Sequence, residues 1–417
     1  MLRVEGRIAN HDGVFEGAIE IDPKGGLIVE VGPVRGRSDV DTSGCIIFPG
    51  FGDLHVHARE DVSGREMYKE DFASASAAAI HGGVVHFADM PNNPTAPVDD
   101  ASYAAKERLT QNAPVHITLY GGIGPGTNPL TRAVPYKAFM GPSVGELFFW
   151  SAAELEETIA RYRGCNVSFH CEDPLIMDEC RGAATHEQRR PARAEVSATR
   201  FALELIEKYE LRGKLCHFST GEGMRDVMAA KERGVRVTCE VTPHHLFFDD
   251  AMITEGNRLW LQMNPPLRGR EDRLAMIEAL RSGGIDYLAT DHAPHTLEEK
   301  QKGTSGVPHL DTYGAFTTWL MAEHGFFPQQ IARVCAWNPG QFVREYLPKE
   351  YGAGFGRVEA GYVGSLTILD LQHPYTVTRE SLKTKCGWSP FEGVRFPGTV
   401  RHTVVRGRVH TQTEGGR

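Results

Sequence analysis

The 417-residue chain has no CxxC pair and no dense cysteine framework; its 8 cysteines stand apart at 45, 165, 171, 180, 216, 239, 335 and 386. That pattern excludes a zinc ribbon or a disulfide-stapled scaffold, and reduced thiols in a cytoplasmic protein are the simplest reading. No run approaches the roughly 20 apolar residues that span a bilayer. The opening MLRVEGR carries charges where a secretory leader needs an apolar stretch, so no leader is expected. Positive charge is in deficit: 45 Lys+Arg against 54 Asp+Glu give a net charge of −9. With no basic stripe, nucleic acid and anionic membrane are excluded as main partners. The rest is ordinary for a soluble globular protein: 41% hydrophobic and 24% charged residues, with a mean hydropathy of −0.32.

Both ends of the chain read as short strands separated by turns. Residues 1–48 contain LRVEGRIA, GAIEI and GLIVEVG, and residues 356–417 contain SLTILDL and TVRHTVVRGRVH. Neither end can bury a core alone, so the two are expected to pair into one small β-sandwich domain. Between them, residues 49–355 alternate apolar strand-like runs with helical patterns, the rhythm of parallel βα units. Eight strand candidates, 46–57, 84–90, 115–121, 136–140, 166–172, 214–219, 236–241 and 286–291, predict an α/β (β/α)8 TIM barrel, with a doubly wound sheet as the lesser alternative. Helices are expected at 66–81, 99–110, 152–162, 192–209, 222–233 and 269–282.

The chemistry gathers at the strand ends. His55 and His57 flank Val56, and strand alternation puts both imidazoles on one face, as a bidentate metal site requires. One HxH pair means little. Here, however, four further strand candidates carry Lys137, His170, His217 and Asp291. In a barrel these C-terminal ends converge on one mouth, where βα loops build active sites. Four histidines would otherwise each need a separate packing explanation. Lys137 stands out, because an ammonium cannot bind a cation. A neutral buried amine can take up CO2 as an anionic carbamate that bridges two metals, or the lysine can be an ordinary core-edge residue; the residues alone leave both readings open.

The words PGFGDLHVHARE, ADMPNNPT, YKAFMGPS, FHCED, CHFST, CEVTPHHL, MNPPLR and ATDHAPHTLEEK resemble the amidohydrolase superfamily. Within it they are most similar to dihydroorotases of the long-chain class. The resemblance implies a hydrolase of cyclic amides with two Zn2+ per subunit: His55, His57 and Asp291 on the buried ion, His170 and His217 on the outer one, and carboxylated Lys137 with a hydroxide bridging them. The same donors would accept Co or Mn. Cys216, His217 and Glu240 also resemble a third-metal arrangement, with Glu240 equally readable as support for a ligand. Asp291 would be the general acid/base, Arg59, Asn92 and His295 would hold the substrate carboxylate, and Asn264 the ring. The implied reaction is reversible closure of N-carbamoyl-L-aspartate to L-dihydroorotate plus water, in pyrimidine biosynthesis. A homodimer and association with aspartate carbamoyltransferase are the implied partners.

Several features pull the other way or stay bland. Asn92 and Asn264 both adjoin proline and could simply form turns. His81, His86, His116 and the His244-His245 pair are read as packing or supporting residues, and Arg189-Arg190 and Arg268 as solvated. Residues 303–312 read GTSGVPHLDT, where the resembled family has a Gly-rich loop ending Gly-Leu-Glu-Thr; His309 and Asp311 depart from it. The loop's glycines suit a hinged lid. The departure keeps open an allantoinase or a dihydropyrimidinase/hydantoinase acting on a ring without a carboxylate. A non-catalytic scaffold is the third reading, opposed by the survival of all six candidate ligands.

Overall fold

The computed structural model describes residues 1–412 apart from Val144 and Glu146; the last residues of the C-terminal segment, 413–417, lie outside the described residues. Strands from both chain ends share one seven-stranded sheet. Its order is Arg408–Thr411, Thr399–Val405, Leu366–Asp370, Cys45–Pro49, Leu2–Asn10, Gly13–Asp22 and Leu27–Gly32. Leu2–Asn10 and Cys45–Pro49 run parallel, and every other neighbouring pair is antiparallel. Alternate residues of these strands, among them Val4, Ile8, Ile19, Ile21, Ile47, Leu366, Ile368 and Val404, form a separate apolar cluster.

Eight parallel segments build the barrel: Phe51–Val56, Val84–Asp89, His116–Leu119 with its continuation Gly121–Ile123, Tyr136–Phe139, Asn166–His170, Arg212–Leu215, Val237–Val241 and Tyr287–Leu288. Most are buried along their whole length, as strands covered on both faces must be. The first and last strands meet through the Val56–His292 bridge and the His57 N–H, which donates to the His292 carbonyl at 2.8 Å. Asp53 ties the same seam, accepting from the Thr290 hydroxyl at 2.5 Å and the Thr290 N–H at 3.1 Å. Burial pushes its carboxyl up to about 7.

The first strand candidate divides in two. Cys45–Pro49 joins the terminal sheet and Phe51–Val56 joins the barrel. Thr367 holds the two together: its hydroxyl accepts from the Phe51 N–H and donates to the Gly83 carbonyl. The expected helix 66–81 is shorter, Phe72–His81, because Asp71 caps it by accepting from the Ser74 N–H and so sets its start. Residues 371–398 leave the terminal sheet and reach back over the barrel mouth. There Asp311 accepts from the Lys383 and Thr384 N–H groups, and the Trp388 indole donates to the His295 carbonyl at 2.7 Å. All eight cysteines are free. Among the described residues no helix is long and apolar enough to cross a membrane.

Candidate metal centre

Strand alternation carries His55 and His57 to one side of the first strand. Each Nε2 lies 3.1 Å from the same Asp291 Oδ1. The other ring nitrogen is held in both: His55 Nδ1 by Glu240 Oε1, and His57 Nδ1 by Asn92 Oδ1 at 2.8 Å. An acceptor on Nδ1 requires the proton there, so the hydrogen-bond network assigns each Nε2 a lone pair facing the carboxylate. His170 is arranged the other way round. Its Nε2 is held by Glu172 Oε2 at 2.8 Å, which turns Nδ1 toward His217 Nε2, also 2.8 Å away. His217 in turn lies beside His55, with ring centroids 5.2 Å apart and the planes tilted by 37°.

Burial pulls all four imidazoles below their usual range, and Lys137 adds to the effect in each. Burial also pushes Asp291 up to about 7, with Glu240 contributing. Lone pairs from neutral rings and a carboxylate therefore converge in a water-poor space, with the other ring nitrogen of His55, His57 and His170 already bonded. Nitrogen and oxygen donors so arranged fit a divalent cation such as zinc. His55, His57 and Asp291 each offer one ligand atom, all within 4.8 Å of one another, and so do His55, Cys216 and Glu240. In the second group Glu240 is already engaged: it holds His55, accepts from the His217 N–H and pairs with the buried Lys214.

Lys137 lies fully buried below the pocket, with Nζ 2.8 Å from Cys216 Sγ and 5.0 Å from the Phe139 ring. Among the described residues no carboxylate lies within ion-pair distance of it. A lysine at a core edge ordinarily reaches water or a carboxylate; this one has a thiol and a ring.

Arg59, Asn92, Asn264, Ser143, Ser305 and Gly306 line the same pocket as the four histidines and Asp291. The Arg59 side chain donates to the Pro294 carbonyl at 3.3 Å and lies 3.1 Å from His295 Nε2. Its guanidinium is buried, and among the described residues it has no carboxylate partner within 4.0 Å. Asn264 Oδ1 is likewise buried without a hydrogen-bond partner. His295 does not line the pocket; it stands behind Arg59, 1% exposed. Backbone strain marks the same place. Of five non-glycine residues with positive φ among those described, three are Arg59 (64°), His217 (36°) and Asp291 (49°).

Two of the three arginines expected to be solvated, Arg190 and Arg268, are not. Arg190 donates to both Glu172 oxygens and to the Pro142 carbonyl, and Arg268 donates to Ser219 Oγ and the Arg190 carbonyl. Their partners come from βα loops that sequence distance conceals. Glu172, quoted only as part of HCED, is the acceptor that turns His170; Arg190 holds it ionised, down to about 2, against the burial that would raise it. Ser143, Ser305, Lys214 and the His170–Glu172–Arg190 chain had no sequence signal beyond proximity to the motifs. His245 bonds Thr242 and the Pro265 carbonyl, and His244 bonds His309, so this pair serves packing.

A family model described as the amidohydrolase family matches residues 46–410. A dihydroorotase of Pyrococcus furiosus is 31% identical over 407 residues, covering 97% of this chain and 91% of that protein. One of Thermococcus kodakarensis is 32% identical, covering 98% and 94%. Among solved structures, an L-hydantoinase (dihydropyrimidinase) from Arthrobacter aurescens superimposes with a TM-score of 0.87 at 24% identity, covering 99% of this chain and 96% of that one. A D-hydantoinase from a Thermus species gives 0.82 at 21%, covering 99% and 95%. The solved structures establish the shared architecture, a TIM barrel with a β-sandwich.

Proposed function

This chain belongs to the amidohydrolase family and is a dihydroorotase-like hydrolase, and from that premise we propose that it interconverts N-carbamoyl-L-aspartate and L-dihydroorotate plus water. The observation that carries the substrate assignment is Arg59. A buried guanidinium without a carboxylate partner, at the wall of the pocket, suits the carboxylate of a dihydroorotate bidentately. Asn92 and His295 support the same end of the substrate, His295 through its contact with Arg59. Asn264 Oδ1 is free to accept from a ring N–H.

Two zinc ions held by His55, His57 and Asp291 and by His170 and His217, with Lys137 as a bridging carbamate, would supply a water nucleophile at neutral pH and polarise the ring amide carbonyl. Glu240, Asn92 and Glu172 fix the tautomers of His55, His57 and His170, so these rings present lone pairs without reorganising. Asp291 takes the proton from the attacking water and delivers it to the ring nitrogen as the amide C–N bond breaks; ring closure runs the same transfer backwards. Eight free thiols suit a reducing, cytoplasmic setting.

A ring without a carboxylate is the second reading, because the 303–312 segment departs from the dihydroorotase pattern. The two departing side chains face elsewhere, however: His309 bonds His244, and Asp311 bonds the backbone of 383–384. Only Ser305 and Gly306 of this segment line the pocket. Turnover of L-dihydroorotate, dihydrouracil and allantoin by zinc-reconstituted protein tests the assignment. Dihydroorotate is expected to be preferred by at least about 100-fold in kcat/KM; preference for either carboxylate-free ring overturns it.

A further inference from the structure

Lys300 is a buried ammonium whose partners are all neutral. It is 1% exposed, and its Nζ donates to the carbonyls of Gln262 at 2.8 Å, Thr304 at 2.9 Å and Gly306 at 2.9 Å. It also lies 5.6 Å from the centre of the Trp388 ring. Three carbonyls use all three N–H donors of an ammonium, and the ring face takes the remaining exposure to charge. Burial draws this amine down to about 7; the three carbonyl oxygens and the ring face are the groups beside it that favour the charged form.

The groups around Lys300 belong to three segments that meet at the pocket. Thr304 and Gly306 flank Ser305, and Ser305 and Gly306 are pocket wall. Gln262 lies two residues before Asn264, the unpartnered acceptor. Trp388 belongs to the C-terminal excursion, and its indole bonds the His295 carbonyl behind Arg59. Further bonds close the ring of backbone: the Gly306 N–H donates to the Gln262 carbonyl at 3.0 Å, and Gln262 Nε2 donates to the Gly303 carbonyl and to Ser305 Oγ at 3.3 Å. The wall lies flat on the strand-eight loop. A Cβ at Gly306, where φ is +134°, would stand 2.8 Å from the Ala293 carbonyl and 3.0 Å from His295 Cδ2. The segment expected to be a hinged lid is therefore clamped, and the clamp is organised around one cation.

We propose that Lys300 is a positioning residue for substrate binding: its ammonium gathers the backbone carbonyls of 262, 304 and 306 and thereby fixes the Ser305–Gly306 wall and the Asn264 loop at a set distance from Arg59. The substrate half of this statement rests on the cyclic-amide reading of the pocket; the ordering of the wall does not. Loss of the charge leaves three carbonyls facing an apolar side chain, which opens the loop without touching any atom that meets the substrate.

The test uses Lys300→Met in metal-reconstituted enzyme, a change that keeps the aliphatic stem on Trp388. KM for L-dihydroorotate should rise about tenfold while kcat stays within about twofold, with metal content equal to wild type. Backbone amides at 303–306 should exchange hydrogen at least about tenfold faster. Ethylammonium added to Lys300→Ala should recover part of the KM, which a general loss of packing would not allow. Should Lys300→Met fail to fold, Gln262→Leu removes only the side-chain ties to Gly303 and Ser305 and should raise KM about threefold. Unchanged KM and exchange in the folded variants overturn the proposal, as does an equal loss of kcat with no change in exchange. If wild type proves inactive on dihydroorotate, the substrate reading fails, and the exchange measurement still decides the role of Lys300.

Discussion

Histidines stand at two levels of the same barrel, and their neighbours differ in kind. At the mouth, His55, His57 and His170 each rest one ring nitrogen on an acceptor, Glu240, Asn92 and Glu172 in turn, and aim the other into the pocket. Lower down, His86 has no hydrogen bond on either nitrogen and stacks on Phe355 with centroids 4.4 Å apart. Gly52 makes room for that ring, since a Cβ there would lie 2.2 Å from it. His116 lies tilted against Tyr351 and Phe355, and its Nε2 meets only the Thr118 hydroxyl, at 3.2 Å. Burial lowers the affinity for protons in both groups, so a shifted pKa does not separate them. What separates them is an acceptor-only oxygen on one ring nitrogen, from a carboxylate or amide, which fixes a tautomer and points a lone pair; a stacked ring, or a hydroxyl that can donate as well as accept, does not.

The comparison breaks most completely at Lys137. Lys137→Ala removes the proposed bridge between two sets of mouth ligands, and should lower kcat/KM by about three orders of magnitude with partial loss of bound metal; metal analysis and turnover on one preparation check it. Arg59→Met should raise KM for dihydroorotate about 100-fold while metal content and the rate on dihydrouracil stay unchanged. A parallel loss on both rings would remove Arg59 from the carboxylate site. Glu172→Gln keeps the shape beside His170 but drops the charge that Arg190 pairs with. Metal affinity, read by competition with a chelator, should weaken about tenfold.

The smallest effect belongs to the lower histidines and concerns stability alone. Burial holds His86 down at about 3 against an ordinary 6.5. As pH falls below 6.5 the unfolded chain takes up a proton that the folded chain refuses. Its contribution is thus complete above 6.5 and is lost progressively as pH falls toward 3. The slope is at most about 1.4 kcal/mol per pH unit. Denaturant unfolding between pH 6.5 and 4.5 should therefore show a shallower decline in His86→Leu than in wild type, with activity at pH 7 retained in both. Equal slopes would mean that the His86 ring gains a polar partner on protonation.

These contrasts explain what could be read from the chain directly. Strand-end positions were legible because ligand-type side chains recur at the ends of successive strand candidates, as His170 does at the end of Asn166–His170. The division of 46–57 into Cys45–Pro49 and Phe51–Val56 was not, because both halves are apolar and only the fold assigns them to different sheets. Arg190 read as a solvated charge because its partner Glu172 lies 18 residues earlier, at the start of the same long βα connection, with two short helices between them. Lys214 carried no signal either: a lone lysine in RGKL is indistinguishable from an edge residue until Glu240 from the next strand reaches it. His295, expected at the substrate carboxylate, touches Arg59 rather than the cavity, a contact that its place four residues after Asp291 does not announce.

The account rests on the mouth histidines being metal ligands. Metal analysis by mass spectrometry of protein purified without chelator, beside a His55→Ala/His170→Ala double variant, tests it most directly. About two divalent ions per wild-type chain, largely lost in the variant together with turnover, is the predicted result. Metal-free wild-type protein with full turnover, or a variant that keeps both its ions and its activity, would contradict it.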